Sequence, residues 1–291
     1  MVFSKLSSMV FGLGALGIVG CGGANWEEPA QESEVADESE AITGSKTFLS
    51  LGDSIAFGFN PLVAPTPVSN YVGYPEFIAS KGNKVTNASC PGESSGSFLD
   101  ATAPDTGCRG FKAQFALHAD YETTQMAFLL SVLKKTNFSY ITLNLGANDL
   151  FLLQGACQGD VTCIQNGLPG VVQAYSANLN KGFDQVVAAD LASKCKGKFI
   201  GVTTYATNYN DPLAVPALTA INSALRTFTT SQRVSGKVVD GFEEFRLASL
   251  AFGGDACAAG LLIKKPDNTC DIHPSQKGRE ILGAAILKVA K

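Results

Sequence analysis

Five short apolar runs, each separated from the next by a stretch with apolar residues at helical spacing, leave few folds open to residues 47–291. Residues 47–51, 84–88, 140–145, 198–203 and 237–239 read as strands. Residues 71–81, 123–135, 168–194, 213–229 and 275–291 read as helices. The first of these has Pro75 in its opening turn and Gly82 past its end, and the last has Ser275 as a possible N-cap. Strands joined through helices of this length run parallel and are covered on both faces. The pattern therefore predicts an α/β fold, a single three-layer domain around a parallel sheet of about five strands. In such sheets ligands collect beyond the carboxyl ends of the strands. Three loops in that position, after Leu51, Ala88 and Leu145, hold the unusual residues.

The N-terminus follows different rules. Lys5 precedes an apolar run from Met9 to Val19 that is too short to span a bilayer and is shaped like the core of a signal peptide. The run ends in Ile18-Val19-Gly20-Cys21, which resembles the lipobox of bacterial lipoproteins. Residues 1–20 are thus expected to be removed and Cys21 to be lipidated, tethering an exported protein to the bacterial cell envelope. From residue 24 to 45 the chain carries Glu27, Glu28, Glu32, Glu34, Asp37, Glu38 and Glu40, no base, and Trp26, the single tryptophan. Residues 21–45 accordingly read as an acidic, disordered tether. The formal charge of −4 belongs to this segment, because residues 46–291 carry 21 basic against 19 acidic residues, a net of +2. That balance gives no field for nucleic acid.

Beyond Cys21 there are seven cysteines, and an exported protein meets an oxidising compartment. Pairing by proximity joins Cys90 with Cys108, Cys157 with Cys163 and Cys257 with Cys270, leaving Cys195 free. With two histidines and no C-x-x-C pair, a metal site is the poorer use of these residues.

The first strand ends at Gly52-Asp53-Ser54, so a serine stands just past a strand end. Ser54 is a candidate nucleophile, although Gly-Asp-Ser also suits an ordinary turn or cap. An imidazole base for it can only be His118 or His273. His118 lies in an apolar context suited to a packed histidine, whereas Pro274 holds His273 extended immediately before the last helix. Attack on an ester also needs donors where the oxyanion forms. Gly92 offers a backbone N–H in a loop of small residues, and Asn148, in Gly146-Ala147-Asn148-Asp149, offers a side-chain amide.

In this order, Gly52-Asp53-Ser54, Gly92, Gly146-Ala147-Asn148-Asp149 and His273-Pro274 resemble the four blocks of the SGNH/GDSL hydrolase family, across roughly residues 47–291. The resemblance implies a flavodoxin-like, doubly wound sheet and ester hydrolysis through an acyl-enzyme. It implies that Ser54 is the nucleophile, that its N–H joins Gly92 and Asn148 in the oxyanion hole, and that His273 is the general base. The family usually spaces acid and base as D-x-x-H, but Cys270 stands three residues before His273 and the nearest acid is Asp271. Residues two apart in an extended segment face the same way, so Asp271 can reach the imidazole. A backbone carbonyl, Asp267 or Asp255 are the alternatives. Gly92-Glu93-Ser94-Ser95-Gly96 also matches the G-x-S-x-G elbow of α/β-hydrolases, which would make Ser94 the nucleophile. That elbow leaves the Gly-Asp-Ser and Gly-Ala-Asn-Asp segments unexplained.

The chain thus reads as a membrane-tethered carboxylic ester hydrolase, an esterase or lipase with no metal or organic cofactor. Its expected partners are a small-molecule, lipid or other acylated ester and, through Cys21, a membrane. A deacetylase of polysaccharides and a non-catalytic surface binder are the other classes. Phe57, Phe59 and Tyr71 are either core or the wall of an acyl site.

Overall fold

The computed structural model describes residues 44–291. The expected signal peptide, Cys21 and nearly all of the segment expected to be an acidic tether lie outside the described residues.

The strands are β1 (Thr47–Gly52), β2 (Lys84–Asn87), β3 (Tyr140–Asn144), β4 (Phe199–Val202) and β5 (Lys237–Val239), followed by β6 (Leu262–Lys264) and β7 (Cys270–Pro274). The helices are α1 (Ser54–Phe57), α2 (Tyr74–Ser80), α3 (Cys108–Lys112), α4 (Gln125–Lys135), α5 (Ala147–Ala156), α6 (Val161–Ala188), α7 (Ala192–Cys195), α8 (Ala214–Thr230), α9 (Gly241–Ser249) and α10 (Gln276–Val289). The first five strands form one parallel sheet in the order β2-β1-β3-β4-β5. This is the doubly wound, flavodoxin-like order, whose direction reverses at β1 and β3. The carboxyl ends of those two strands are therefore where a crevice opens.

Alternation along β1 sorts the two layers. Leu49 and Leu51 join the core built with Met126, Leu129, Phe183 and Leu225, on α4, α6 and α8. Phe48 points the other way and packs with Ile78, Phe245 and Ile286, on α2, α9 and α10. Ser50 shares that second face, and its hydroxyl accepts from Thr142 at 3.1 Å, so a polar pair is satisfied inside the sheet.

The two remaining strands pair antiparallel, Leu262 against Pro274 and Lys264 against Cys270 with an irregularity between. The 13-residue Cys257–Cys270 separation is closed by a disulfide, and Cys90–Cys108 and Cys157–Cys163 are bonded as well. Cys195 is the free cysteine among the described residues and is buried.

Local differences from the sequence pattern have physical causes. The long helix begins at Val161 rather than 168, because Asp160 caps it by accepting the Cys163 N–H. Pro169 lies inside it and not in its first turn. Helices α5 and α9 lie outside the five stretches read as helical from the sequence. Among the described residues no helix is long and apolar enough to cross a membrane.

Candidate active site

The turn from β1 into α1 needs glycine. Gly52 has φ of 151°, and a Cβ there would lie 2.4 Å from the carbonyl oxygen of Asn144 on the neighbouring strand. Asp53 then caps α1, its Oδ1 accepting the Ile55 N–H at 3.0 Å. Ser54 is the first residue of that helix, where an N–H has no preceding helical carbonyl to bond. A hydroxyl and a free amide thus leave the same residue.

His273 reaches Ser54 from β7. Its Nε2 is 2.8 Å from Ser54 Oγ, and its Nδ1 is in close contact with Asp271 Oδ1. The same carboxylate oxygen accepts the His273 backbone N–H at 3.0 Å, so ring and strand are held by one acid two residues away. With Nδ1 donating to the carboxylate, Nε2 is left to accept the serine proton. The hydrogen bond from the His273 ring holds the Asp271 carboxyl below its ordinary value. Asp267 and Asp255 are occupied elsewhere, by Thr269 and by the Ala258 N–H. Tyr205 donates to the Ile272 carbonyl at 2.7 Å, and the Phe59 ring lies 5.0 Å from the imidazole, so β7 is pinned beside α1.

On the opposite side stands Asn148, in the first turn of α5 and 5% exposed. Its Nδ2 donates to the Glu93 carbonyl at 2.9 Å and its Oδ1 accepts from Thr106 Oγ1. One amide proton remains without a partner among the described residues. Gly92 precedes Glu93, has φ of 85°, and a Cβ there would lie 2.5 Å from the Gly107 nitrogen. Its glycine is thus demanded by a tight approach of two parts of the β2–α3 connection, and its N–H finds no acceptor among the described residues.

Beneath these donors lie Asp53, Glu93 and Asp149, all largely buried. Burial pushes Asp53 up to about 7, against the Ile55 N–H that favours its charged form. Burial likewise raises Glu93, and raises Asp149 although Ser95 hydrogen-bonds it. The floor of the site therefore carries less negative charge than three ordinary carboxylates would.

Ser54, Asn148 and His273 line one pocket of about 240 Å³. Its other walls are mostly apolar and include Ile55, Leu150 and Phe151, Ile164 from α6, and Ala217 and Leu218 from α8. Phe57 and Tyr71 are buried core, and neither they nor Phe59 line it. Ser94 is 1% exposed, donates to the Pro104 carbonyl at 2.7 Å and has no histidine beside it. His118 bonds the Phe57 carbonyl at 3.1 Å instead of a serine. Cys90, Glu93 and Cys108 cluster at a spacing that suits metal ligands, but the two sulfurs are bonded to each other. A hydroxyl paired to an imidazole, with unpaired donors nearby and a dry wall adjoining, is equipped for acyl transfer.

Residues 50–281 match the model of the GDSL-like Lipase/Acylhydrolase family. Among solved structures, a catalytic mutant of Axe2, an acetylxylan esterase from Geobacillus stearothermophilus, is similar at 15% identity and a TM-score of 0.52, over 86% of this chain and 96% of that one. A second catalytic mutant of the same enzyme is similar at 17% identity and a TM-score of 0.51, with the same 86% and 96% covered. At such identities the likeness speaks for the fold. A search of curated protein sequences finds no significant match.

Proposed function

Since the chain belongs to the GDSL-like Lipase/Acylhydrolase family, whose chemistry is the hydrolysis of esters, we propose that it works as a serine-dependent carboxylic ester hydrolase through Ser54, His273 and Asp271. The observation that carries this reading is the relay from Asp271 through His273 to Ser54 Oγ at the wall of an apolar pocket.

Ser54 Oγ attacks the ester carbonyl while His273 Nε2 takes its proton, and Asp271 stabilises the imidazolium. The tetrahedral oxyanion is met by the N–H groups of Ser54 and Gly92 and the unpartnered amide proton of Asn148. As the intermediate collapses, His273 returns the proton to the leaving alcohol, giving an acyl-enzyme. Water, deprotonated by the same imidazole, then attacks the acyl carbonyl and frees the acid.

The apolar walls support an acyl chain longer than acetyl. Burying each methylene contributes about 0.8 kcal/mol, so kcat/KM is expected to rise about fourfold per carbon until the pocket is full. p-Nitrophenyl esters from acetate to palmitate, run beside acetylated xylan, test this. Highest kcat/KM on medium chains supports the reading; a preference for acetyl groups with turnover of the xylan would make the protein a carbohydrate deacetylase. No turnover of any substrate would favour a binding protein.

The leader supports a second proposal, that Cys21 carries lipid and tethers the enzyme to a bacterial envelope membrane. Palmitate labelling lost in Cys21→Ala is the expected result, and an unlabelled secreted product would contradict it.

A further inference from the structure

Gln125, the first residue of α4, is fully buried yet makes three hydrogen bonds with its side-chain amide. Its Oε1 accepts the Gly52 N–H at 2.9 Å, and its Nε2 donates to the Gly52 carbonyl at 2.7 Å and to Glu93 Oε2 at 2.7 Å. The registered pairing of β1 with β2 ends at Ser50 and Asn87, so Gly52 lies beyond the last paired residues on that edge. The Cys90 N–H still reaches the Gly52 carbonyl at 3.0 Å, so what this edge lacks is an acceptor for the Gly52 N–H; Gln125 Oε1 supplies it, and Nε2 adds a second donor to the carbonyl. Of the side chains of this size, only glutamine can do both while also donating to a carboxylate.

Glu93 extends the connection. Its other carboxylate oxygen accepts from Ser97 Oγ, and its main-chain carbonyl accepts the Asn148 amide at 2.9 Å. Gly92 immediately precedes it. One buried chain of hydrogen bonds, Gly52 to Gln125 to Glu93 to Asn148, thus ties together the segments bearing all three oxyanion donors. None of its links was suggested by local sequence, because the contacts span 73, 32 and 55 residues.

We propose that Gln125 and Glu93 are positioning residues that set the spacing of the oxyanion donors of Ser54, Gly92 and Asn148. They touch no substrate; they act by holding the peptide before Asp53-Ser54 and the carbonyl that aims Asn148. The inference rests on the serine-hydrolase reading above. Donors preorganised in this way are effective because they need no rearrangement as charge develops, and a shift of about 1 Å can cost on the order of a hundredfold in rate.

The test measures kcat, KM and melting temperature for Gln125→Leu, Gln125→Glu, Glu93→Leu and Glu93→Gln, with active sites counted by fluorophosphonate titration. Gln125→Leu and Glu93→Leu are expected to lower kcat per titrated site about 10- to 100-fold while KM stays within about twofold. Glu93→Gln keeps an acceptor for Gln125 and the main-chain carbonyl, so its kcat is expected within about threefold of wild type. If Gln125→Leu does not fold, Gln125→Glu, which loses the donor at unchanged size, takes its place. A lower melting temperature with kcat per site within twofold of wild type in the variant measured would overturn the proposal and leave a purely structural role. Wild-type protein that turns over no ester and takes no label at Ser54 would instead remove the reading beneath it.

Discussion

Asp53→Asn should change stability in a way that depends on pH, and the structure sets both sign and size. Asp53 is fully buried beneath Ser54, with Oδ1 accepting the Ile55 N–H and Oδ2 without a partner among the described residues. Burial, reinforced by the nearby Asp149 and Glu93, pushes its pKa from 3.8 to about 7. Between those two values the unfolded chain has already released a proton that the native protein still holds. Native Asp53 binds more protons than unfolded Asp53, so its contribution to stability falls as pH rises through that window and stops falling above about 7. One pKa unit corresponds to about 1.36 kcal/mol, which places the loss between pH 5 and pH 8 on the order of 3 kcal/mol. Asparagine keeps the Oδ1 acceptor and is neutral throughout, and it also lifts the repulsion that a charged Asp53 exerts on Glu93 and Asp149, which adds to the difference in the same direction. The stability of D53N relative to wild type should therefore grow by about 3 kcal/mol from pH 5 to pH 8. Urea unfolding read by far-UV circular dichroism, without reductant, measures it; tryptophan emission is unsuitable because Trp26 lies in the acidic segment. A difference that stays constant within about 1 kcal/mol across that range would refute the reasoning.

Three further outcomes follow from the same geometry. Asp271→Asn removes the acceptor that fixes the imidazole tautomer, and kcat should drop by at least about a hundredfold with the fold intact by circular dichroism. Opening the Cys257–Cys270 bridge in Cys257→Ser/Cys270→Ser frees a loop whose closure contributes about 3 kcal/mol and releases the strand that carries His273. Melting temperature and kcat should both fall, and indifference of either would count against a role in holding the histidine. Ala217→Phe fills the α8 side of the pocket, so the preferred acyl chain should shorten by several carbons while acetyl ester turnover changes little. An unchanged chain-length profile would mean that the acyl group lies elsewhere.

The order of the five sheet strands and of helices α2, α4, α6, α8 and α10 was legible because apolar spacing and the turn residues that bound it are local signals, whereas β6, β7 and the other helices fall outside the runs read from the sequence. The flavodoxin-like topology came with the four blocks, since Gly52 and Gly146 end the two strands at which the sheet order reverses. The closeness of Asp271 to the His273 ring was readable too, because it joins residues two apart in an extended strand, a contact set by the strand's own period. Other features depend on distant partners and leave no local trace. Gln125 looks like any opening residue of a helix until the structure places it against Gly52. Gly92 looks like a loop residue that clears space for a ligand, but its fixed demand comes from Gly107, fifteen residues on in the same β2–α3 connection. Apolar spacing starts the long helix at Leu168, whereas the Asp160 cap eight residues earlier decides the boundary. Tyr205, which holds the strand beside His273, lies in the loop after β4 and carries no motif at all.

The central claim is that the hydroxyl of Ser54 is the group that becomes acylated. Reaction of the purified protein with a fluorophosphonate, followed by peptide mass spectrometry, reads this directly. One adduct, on Ser54, that disappears together with ester turnover in Ser54→Ala is the predicted result. An adduct on Ser94 or another residue, or undiminished turnover in Ser54→Ala, would contradict it.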